Sequence, residues 1–349
     1  MAGALLWMGG HEYLRLGAAQ GCVPFVHDHP GDREMSDHME QEQKLTMRPF
    51  RDDRDFWRMR DFLREVFLLN NRLERSWSLP RLDYWRWHYI KTVGTQPMEQ
   101  VTCLWETADG RLGAWVHIID SEAYLEVHPH FRSPELEDEM FACAGQILAR
   151  LDPAGPRTLF ALADEDDPLR RQVLASRGYT LRDRPVYRWR RDLDGSIPEV
   201  KVAPGYTIRS MGDAGEYHAR ALASWRTFHP NEPEDNFGGG GWLANLQSAP
   251  LYRRDLDIVA QAPDGGIAAF STIFYDDFTR SAVCVLVGTA PRHQRLGLGK
   301  AVITEGLRRL QAMGGTRVFA NGFDPPANAL YGSVLGTSYR AESWYKELG

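Results

Sequence analysis

"PRHQRLGLGK", residues 291–300, follows directly on the apolar run "AVCVLV" and precedes "AVITEGLRRL". The apolar run reads as a buried strand, and the segment after the loop as a helix with Ile303, Leu307 and Leu310 on one face. The ten residues between them therefore feed a helix N-terminus, where the first-turn N–H groups lack partners and the macrodipole is positive. Gly297 and Gly299 let the backbone approach an anion, and Arg292, Arg295 and Lys300 add positive charge. A phosphate or pyrophosphate is the ligand that such a loop favours. It is not a P-loop, because Gln294 stands where the first Gly is required and Ala301 follows Lys300. The dinucleotide fingerprint fails too, since Val302 takes the place of its third Gly.

Around this loop the composition is that of a globular chain. At 349 residues, with 43% hydrophobic and 25% charged, it is long enough for two domains that each bury a core. The net charge of −6 argues against nucleic acid as a partner, which wants a basic face. Cys22, Cys103, Cys143 and Cys284 lie far apart with no CxxC pair, which fits a reducing cytoplasm and leaves no recognisable zinc site. No apolar run approaches the roughly 18–20 residues of a membrane span. The opening "MAGALLWMGGHEYLRLG" has no basic n-region, so no signal peptide is expected. Residues 1–45 lack a lasting period, contain Met35 and Met39, and read as a loosely ordered extension; Met47 follows closely. Their "VHDHPGD", with His27, Asp28, His29 and Asp32, has no second ligand set at metal spacing, so no metal is expected.

From "LTMRPF" onward the same order of elements occurs twice. A helical, aromatic-rich segment leads to strand-like runs, then Pro, a basic loop, a helix, a strand, a second helix and a Gly. The two spans, Pro129 to Gly178 and Pro291 to Gly336, differ by only a few residues. Gly and Pro accumulate in "DLDGSIPEVKVAPGY", which places the join near 192–205. The expectation is α/β (α+β): two tandem domains, 46–192 and 205–349, each a mixed, mostly antiparallel sheet flanked by helices.

The series Gln294-Arg295-Leu296-Gly297-Leu298-Gly299 resembles the acyl-coenzyme A pyrophosphate loop of the GNAT superfamily of N-acetyltransferases. Downstream, "DPPANALYGSVLG", residues 324–336, is similar to that family's second motif at Asp324, Ala327, Leu330, Tyr331 and Gly336. Tandem GNAT proteins of the mycothiol synthase type share the arrangement. The resemblance covers 205–349 in order and 46–192 in outline. The first half departs from it: aligned on the Pro, Glu135 and Glu137 replace Gly297 and Gly299, and aligned on the Gly, Val173 replaces Tyr331. Two carboxylates there would repel a pyrophosphate, so the first half is expected to lack a cofactor site.

The resemblance implies direct transfer from acyl-CoA, with acetyl-CoA as co-substrate, to a primary amine of a small molecule. It assigns cofactor binding to Val287, Gly288, Thr289, Gln294, Arg295, Leu296, Gly297, Leu298, Gly299, Lys300, Asp324 and Asn328, and protonation of the leaving thiolate to Tyr331. His293 is expected beside the phosphates. The base is open: the strand "AVCVL" carries no acid, and Asp276, Asp277, His229, Glu232 or a water remain candidates. Trp225, Phe228, Tyr252, Trp85 and Trp87 are candidates for the acceptor pocket and equally for core, and "NFGGGG", 236–241, for a closing loop or a plain connector. A CoA-responsive binding or scaffolding protein whose chemistry has lapsed is the competing reading, and monomer and homodimer both stay open.

Overall fold

The computed structural model describes residues 44–151, 153 and 157–348. Nearly all of the expected extension 1–45, with its His/Asp cluster, lies outside the described residues. The first half runs β1 (Thr46–Pro49), α1 (Asp53–Leu69), α2 (Leu79–Tyr84), a π-helical stretch Trp85–Val93, β2 (Thr102–Glu106), β3 (Leu112–Ile119), β4 (Glu122–Val127), α3 (Pro134–Leu151), β5 (Arg157–Asp164), α4 (Pro168–Ser176) and β6 (Thr180–Asp192). The second half repeats it as β7 (Thr207–Ser210), α5 (Tyr217–Phe228), α6 (Trp242–Gln247), β8 (Asp257–Gln261), β9 (Ile267–Asp276), β10 (Ser281–Thr289), α7 (Leu298–Ala312), β11 (Arg317–Gly322), α8 (Pro325–Val334) and β12 (Thr337–Leu348).

Local chemistry explains the boundaries. Asp52 caps α1 by accepting from the Arg54 N–H, with Asp53 and Asp55 in the first turn to meet the dipole. The helix then buries Phe56, Met59, Phe62, Leu63, Val66 and Phe67 at helical spacing. Every residue of β9 is buried, as for a strand covered on both faces.

All the strands join one mixed sheet, in the order β1-β2-β3-β4-β5-β12-β6-β11-β10-β9-β8-β7. Only β4–β5 and β10–β11 are parallel. The last strands of the halves are exchanged. β12 lies antiparallel between β5 (Ala341 opposite Asp164, Leu348 opposite Arg157) and β6, and β6 lies antiparallel on β11. Without the exchanged strands, β5 and β11 would present unpaired edges. Cores are shared as well: Trp344 of β12 sits in the first-half cluster. Phe67, Leu79 and Tyr84 of the first half pack with Leu243, Phe274, Val283 and Phe319 of the second.

The π-helical stretch makes part of this seam. The His88 ring lies 4.9 Å from both Tyr84 and Trp242, and its Nδ1 is buried without a hydrogen-bond partner. Burial, then the Arg220 charge, push its imidazole down to about 4. An unfolded chain takes up that proton near the ordinary value of about 6.5. Stability is therefore lost as pH falls from about 6.5 toward 4, with a limiting slope of about 1.4 kcal/mol per pH unit. The expected result is a shallower fall in Tm over this range for His88→Gln than for the unaltered chain. Parallel falls would contradict the assignment.

Candidate active site

Strands β10 and β11 pair only from Ser281 to Val283, opposite Arg317 to Phe319. Beyond that they splay, β10 running on to Thr289 and β11 to Gly322. A bulge falls where they part: Cys284 faces Ile273 and Leu286 faces Thr272, leaving Val285 as the extra residue. Cys284 packs with Tyr331, and the bulge puts both Val285 and Leu286 in the opposite cluster, so that Val287 returns to the Tyr331 side. The splay opens backbone groups of one strand that have no ladder partner on the other. Gly288 is glycine for packing reasons, since a Cβ there would stand 2.5 Å from Phe270 and 2.8 Å from Thr227.

At the end of β10 the loop turns into α7. Arg295 and Gly297 both take left-handed backbone conformations, with φ of 62° and 77°. Gly297 is the N-cap of α7 and no side chain caps the helix, so its first N–H groups face outward. A Cβ at Gly297 would meet nothing, so the demand there is conformational; one at Gly299 would come within 3.2 Å of Thr289 Oγ1 and 3.4 Å of Leu330. Gln294 donates to the Thr289 carbonyl at 3.3 Å, and Lys300 to the Ser333 carbonyl at 3.2 Å, tying α7 to α8. Arg292, Arg295 and Leu296 are exposed, and Leu298 is buried beneath them. His293 Nδ1 lies 2.9 Å from the Tyr206 hydroxyl.

On α8 the motif residues separate by task. Asp324 is the N-cap, accepting from Ala327 N–H at 2.7 Å. Asn328 accepts from Trp189 Nε1 at 2.8 Å, and Gly332 is small because a Cβ would press on that indole at 2.9 Å. Both polar side chains thus hold α8 in place. Tyr331 is buried with Cys284, Val334 and Leu335, and burial raises its phenol above the ordinary value. A phenol held protonated can give its proton to a stronger base.

The acid and imidazole candidates are not gathered here. Asp276 lies at the opposite end of β10, paired with Ser281. It is fully buried and accepts from Arg64 at 2.7 Å and 3.1 Å and from the Thr279 hydroxyl and N–H. That carboxylate is a seam ion pair and has no free face for a substrate proton. Glu232 is exposed in the loop after α5, as is Asp277 after β9. His229 stacks on Trp225 at 3.9 Å between ring centres, with its Nδ1 buried and unpartnered. Among the aromatics, Trp85 is core beside His117, Trp87 packs on Phe56, Tyr252 donates to Asp257, and Phe228 is exposed. Gly240 of the glycine run is pinned, since a Cβ would sit 2.6 Å from the Tyr217 carbonyl. Residues that the sequence did not mark do reach the splay: Arg81 of α2, its partner Glu74, and Asn321 of β11.

The first half repeats the splay and fills it. β4 and β5 pair only at Glu122–Ala123. Arg170 of α4 donates to the Leu125 carbonyl at 3.3 Å and to both oxygens of Glu137, and Arg132 binds Glu137 and Asp167. Glu137 is therefore neutralised inside the protein and is not the free repelling charge that the alignment on Pro implies. Aligned on helix starts, Ser133 stands at Gly297 and Glu135 at Gly299, and Leu174 stands at Tyr331. The Ser133 hydroxyl caps α3 by accepting from Leu136 N–H at 3.2 Å. No group of His, Cys, Asp or Glu fit to hold a metal occurs among the described residues.

A splayed parallel strand pair beside a helix whose N-terminus is left open is the arrangement that the resemblance to GNAT proteins implies for the second half. The "Acetyltransferase (GNAT) family" model matches residues 225–336. Mycothiol acetyltransferase of Nocardioides sp. is 27% identical over 243 residues, covering 64% of this chain and 79% of that protein. The Stackebrandtia nassauensis protein of the same name is 29% identical over 196 residues, covering 54% and 61%. In fold, a GCN5-related N-acetyltransferase from Sphaerobacter thermophilus aligns with TM-score 0.60 at 17% identity, covering 87% of this chain and 95% of that one. A tandem GNAT protein from the clavulanic acid biosynthesis pathway aligns with TM-score 0.61 at 16% identity, covering 88% and 99%. Residues 225–336 thus carry the match to the GNAT acetyltransferase family, and the chain as a whole is similar in fold to tandem GNAT proteins.

Replacing Asp276 tests its reassignment. Asp276→Asn leaves Arg64 short of its counter-charge at the seam, and loss of one partner from such a pair typically costs about 3 kcal/mol. Denaturant titration should show that loss, while kcat at a temperature where the variant is folded stays at the parent value. A large fall in kcat with stability intact would restore Asp276 to the mechanism.

Proposed function

We propose that residues 205–349 bind one acyl-CoA, with acetyl-CoA as the donor, and transfer its acyl group to a primary amine of a small molecule. The observation that carries this reading is the uncapped, left-handed start of α7 opening beside the β10–β11 splay. Its N–H groups suit a pyrophosphate, with Arg292 and Arg295 adding exposed positive charge. Val287, Gly288 and Thr289 line the splay and present backbone groups to a chain laid along it. Coenzyme A supplies an activated acyl carbon as a thioester. The amine attacks that carbon directly, and Tyr331 gives its proton to the departing thiolate. The first half, 46–192, takes no second coenzyme, because Arg170 and Glu137 occupy the equivalent gap and Ser133 caps the equivalent helix.

Acetyl-CoA turnover over a panel of amines, read as free thiol, tests the reading. The relatives' name puts the amine whose acetylation yields mycothiol in that panel. Thiol release with none of them would favour a chain that binds coenzyme A without chemistry. Two variants separate binding from transfer. Gly297→Glu sets a carboxylate on the open helix start and costs about 1–2 kcal/mol for its left-handed backbone. Calorimetry should show coenzyme A binding abolished with the fold retained, and one site per parent chain. Tyr331→Phe removes only the hydroxyl, so affinity should hold while kcat falls on the order of 10²–10⁴-fold. An unchanged kcat under chemistry-limited conditions removes Tyr331 from the mechanism.

A further inference from the structure

Asn321 stands on β11 two residues beyond its last pairing with β10, at the level where the strands have parted. It is buried, with 3% of its surface exposed. Its Oδ1 accepts from Arg81 Nη2 at 3.0 Å. Arginine has donors only, so the carboxamide must turn its oxygen to Arg81, and the amide orientation is set by chemistry. The Nδ2 group then points elsewhere, buried and with no hydrogen-bond partner. Buried amide donors are almost always paired, so an orphan where the two strands have parted points to an acceptor that arrives with a ligand.

Arg81 comes from the first half. It is clamped by Glu74, which accepts from its Nε at 3.1 Å and its Nη2 at 2.9 Å, and Glu74 also accepts from the Ser78 hydroxyl at 2.5 Å. The Glu74 carbonyl accepts in turn from Arg188 of β6, the strand partner of Asn321. The Arg81 charge acts on both Cys284, at the bulge, and Tyr331. The splay is thus approached from one side by the Tyr331 phenol and from the other by the Arg81–Asn321 pair.

We propose that Asn321 Nδ2 donates a hydrogen bond to the thioester carbonyl oxygen in the splay, and that the first half supplies Arg81 and Glu74 to hold it in that orientation. This rests on the acyltransferase reading above. As the amine lone pair forms the C–N bond, the carbonyl π pair moves onto oxygen, where the Nδ2 hydrogen bond strengthens. Collapse breaks the C–S bond, the thiolate takes the Tyr331 proton, and the surplus proton on nitrogen leaves to water, which also restores the phenol. Asn321 touches the reacting group, and Arg81 and Glu74 are positioning residues. Loss of one such donor typically lowers kcat by about 10²–10³-fold.

Isotope-edited infrared spectra of [1-13C]acetyl-CoA bound to the full chain report the hydrogen bond without turnover. Asn321→Asp is isosteric, keeps an acceptor for Arg81 and has no N–H to give; Asn321→Leu removes the polar group without adding charge. The bound carbonyl band should move to higher wavenumber in both, with acetyl-CoA affinity by calorimetry within about tenfold of the parent, since a single neutral hydrogen bond is worth little more. Arg81→Lys, which keeps the charge but not the fork, should broaden and raise the same band with Tm close to the parent value. If parent and both Asn321 variants bind acetyl-CoA with the same carbonyl band, the proposal is overturned and the acyltransferase reading stands. If the parent does not bind acetyl-CoA at all, both fall together.

Discussion

The exchange of β6 and β12 is the constraint on which the rest of the molecule depends. Each last strand fills the edge left by the other half, so the sheet's centre is built from both halves of the chain. Trp344 completes the first-half core from the second half, and Trp189 of β6 clamps α8 in return. Because α8 carries Tyr331, the phenol's position depends on a strand from the other half. A duplication with two self-contained sheets would leave each site to its own half, and this chain does not allow that.

The first half keeps the same arrangement of strands with a different filling. Arg170 and Glu137 fill its splay and bond to each other and to the Leu125 carbonyl. Burying that pair is tolerable because both carboxylate oxygens of Glu137 accept from a guanidinium. Meanwhile the segment after α1 turns toward the second half, where the Arg81–Asn321 and Arg72–Thr279 contacts cross the seam. The first half has kept its packing and redirected its polar groups.

How far the sequence disclosed this depended on whether the information was local. The loop 291–300 was legible because a strand, two glycines and a helix start are neighbours in sequence, and the order of elements was legible from its repetition. Asp324 and Asn328 were read as cofactor groups because a helix cap and a ligand contact use the same residue types; only the Ala327 N–H and Trp189 Nε1 partners tell them apart. Asp276 looked available because its partner, Arg64, belongs to the other half and no spacing rule connects them. Asn321 and Arg81 carried no signal for the same reason. Strand exchange leaves no trace in hydrophobic periodicity, since β6 and β12 would read as strands in either topology.

Electrostatics decides why one gap can be open and the other cannot. A helix start with free N–H groups favours an anion, but only if no nearer side chain has already satisfied it. At α3, Ser133 takes the Leu136 N–H, and Glu137 holds Arg132 and Arg170, so hydrogen-bond capacity and charge are both spent within the protein. At α7, the N-cap is a residue with no side chain, and Lys300 is turned away onto the Ser333 carbonyl. The second half therefore leaves those first-turn donors without a side-chain cap. The Asn321 donor is buried. An unpaired donor there is tolerated only where the surrounding structure fixes it, and Arg81, Glu74 and Arg188 provide that from the first half.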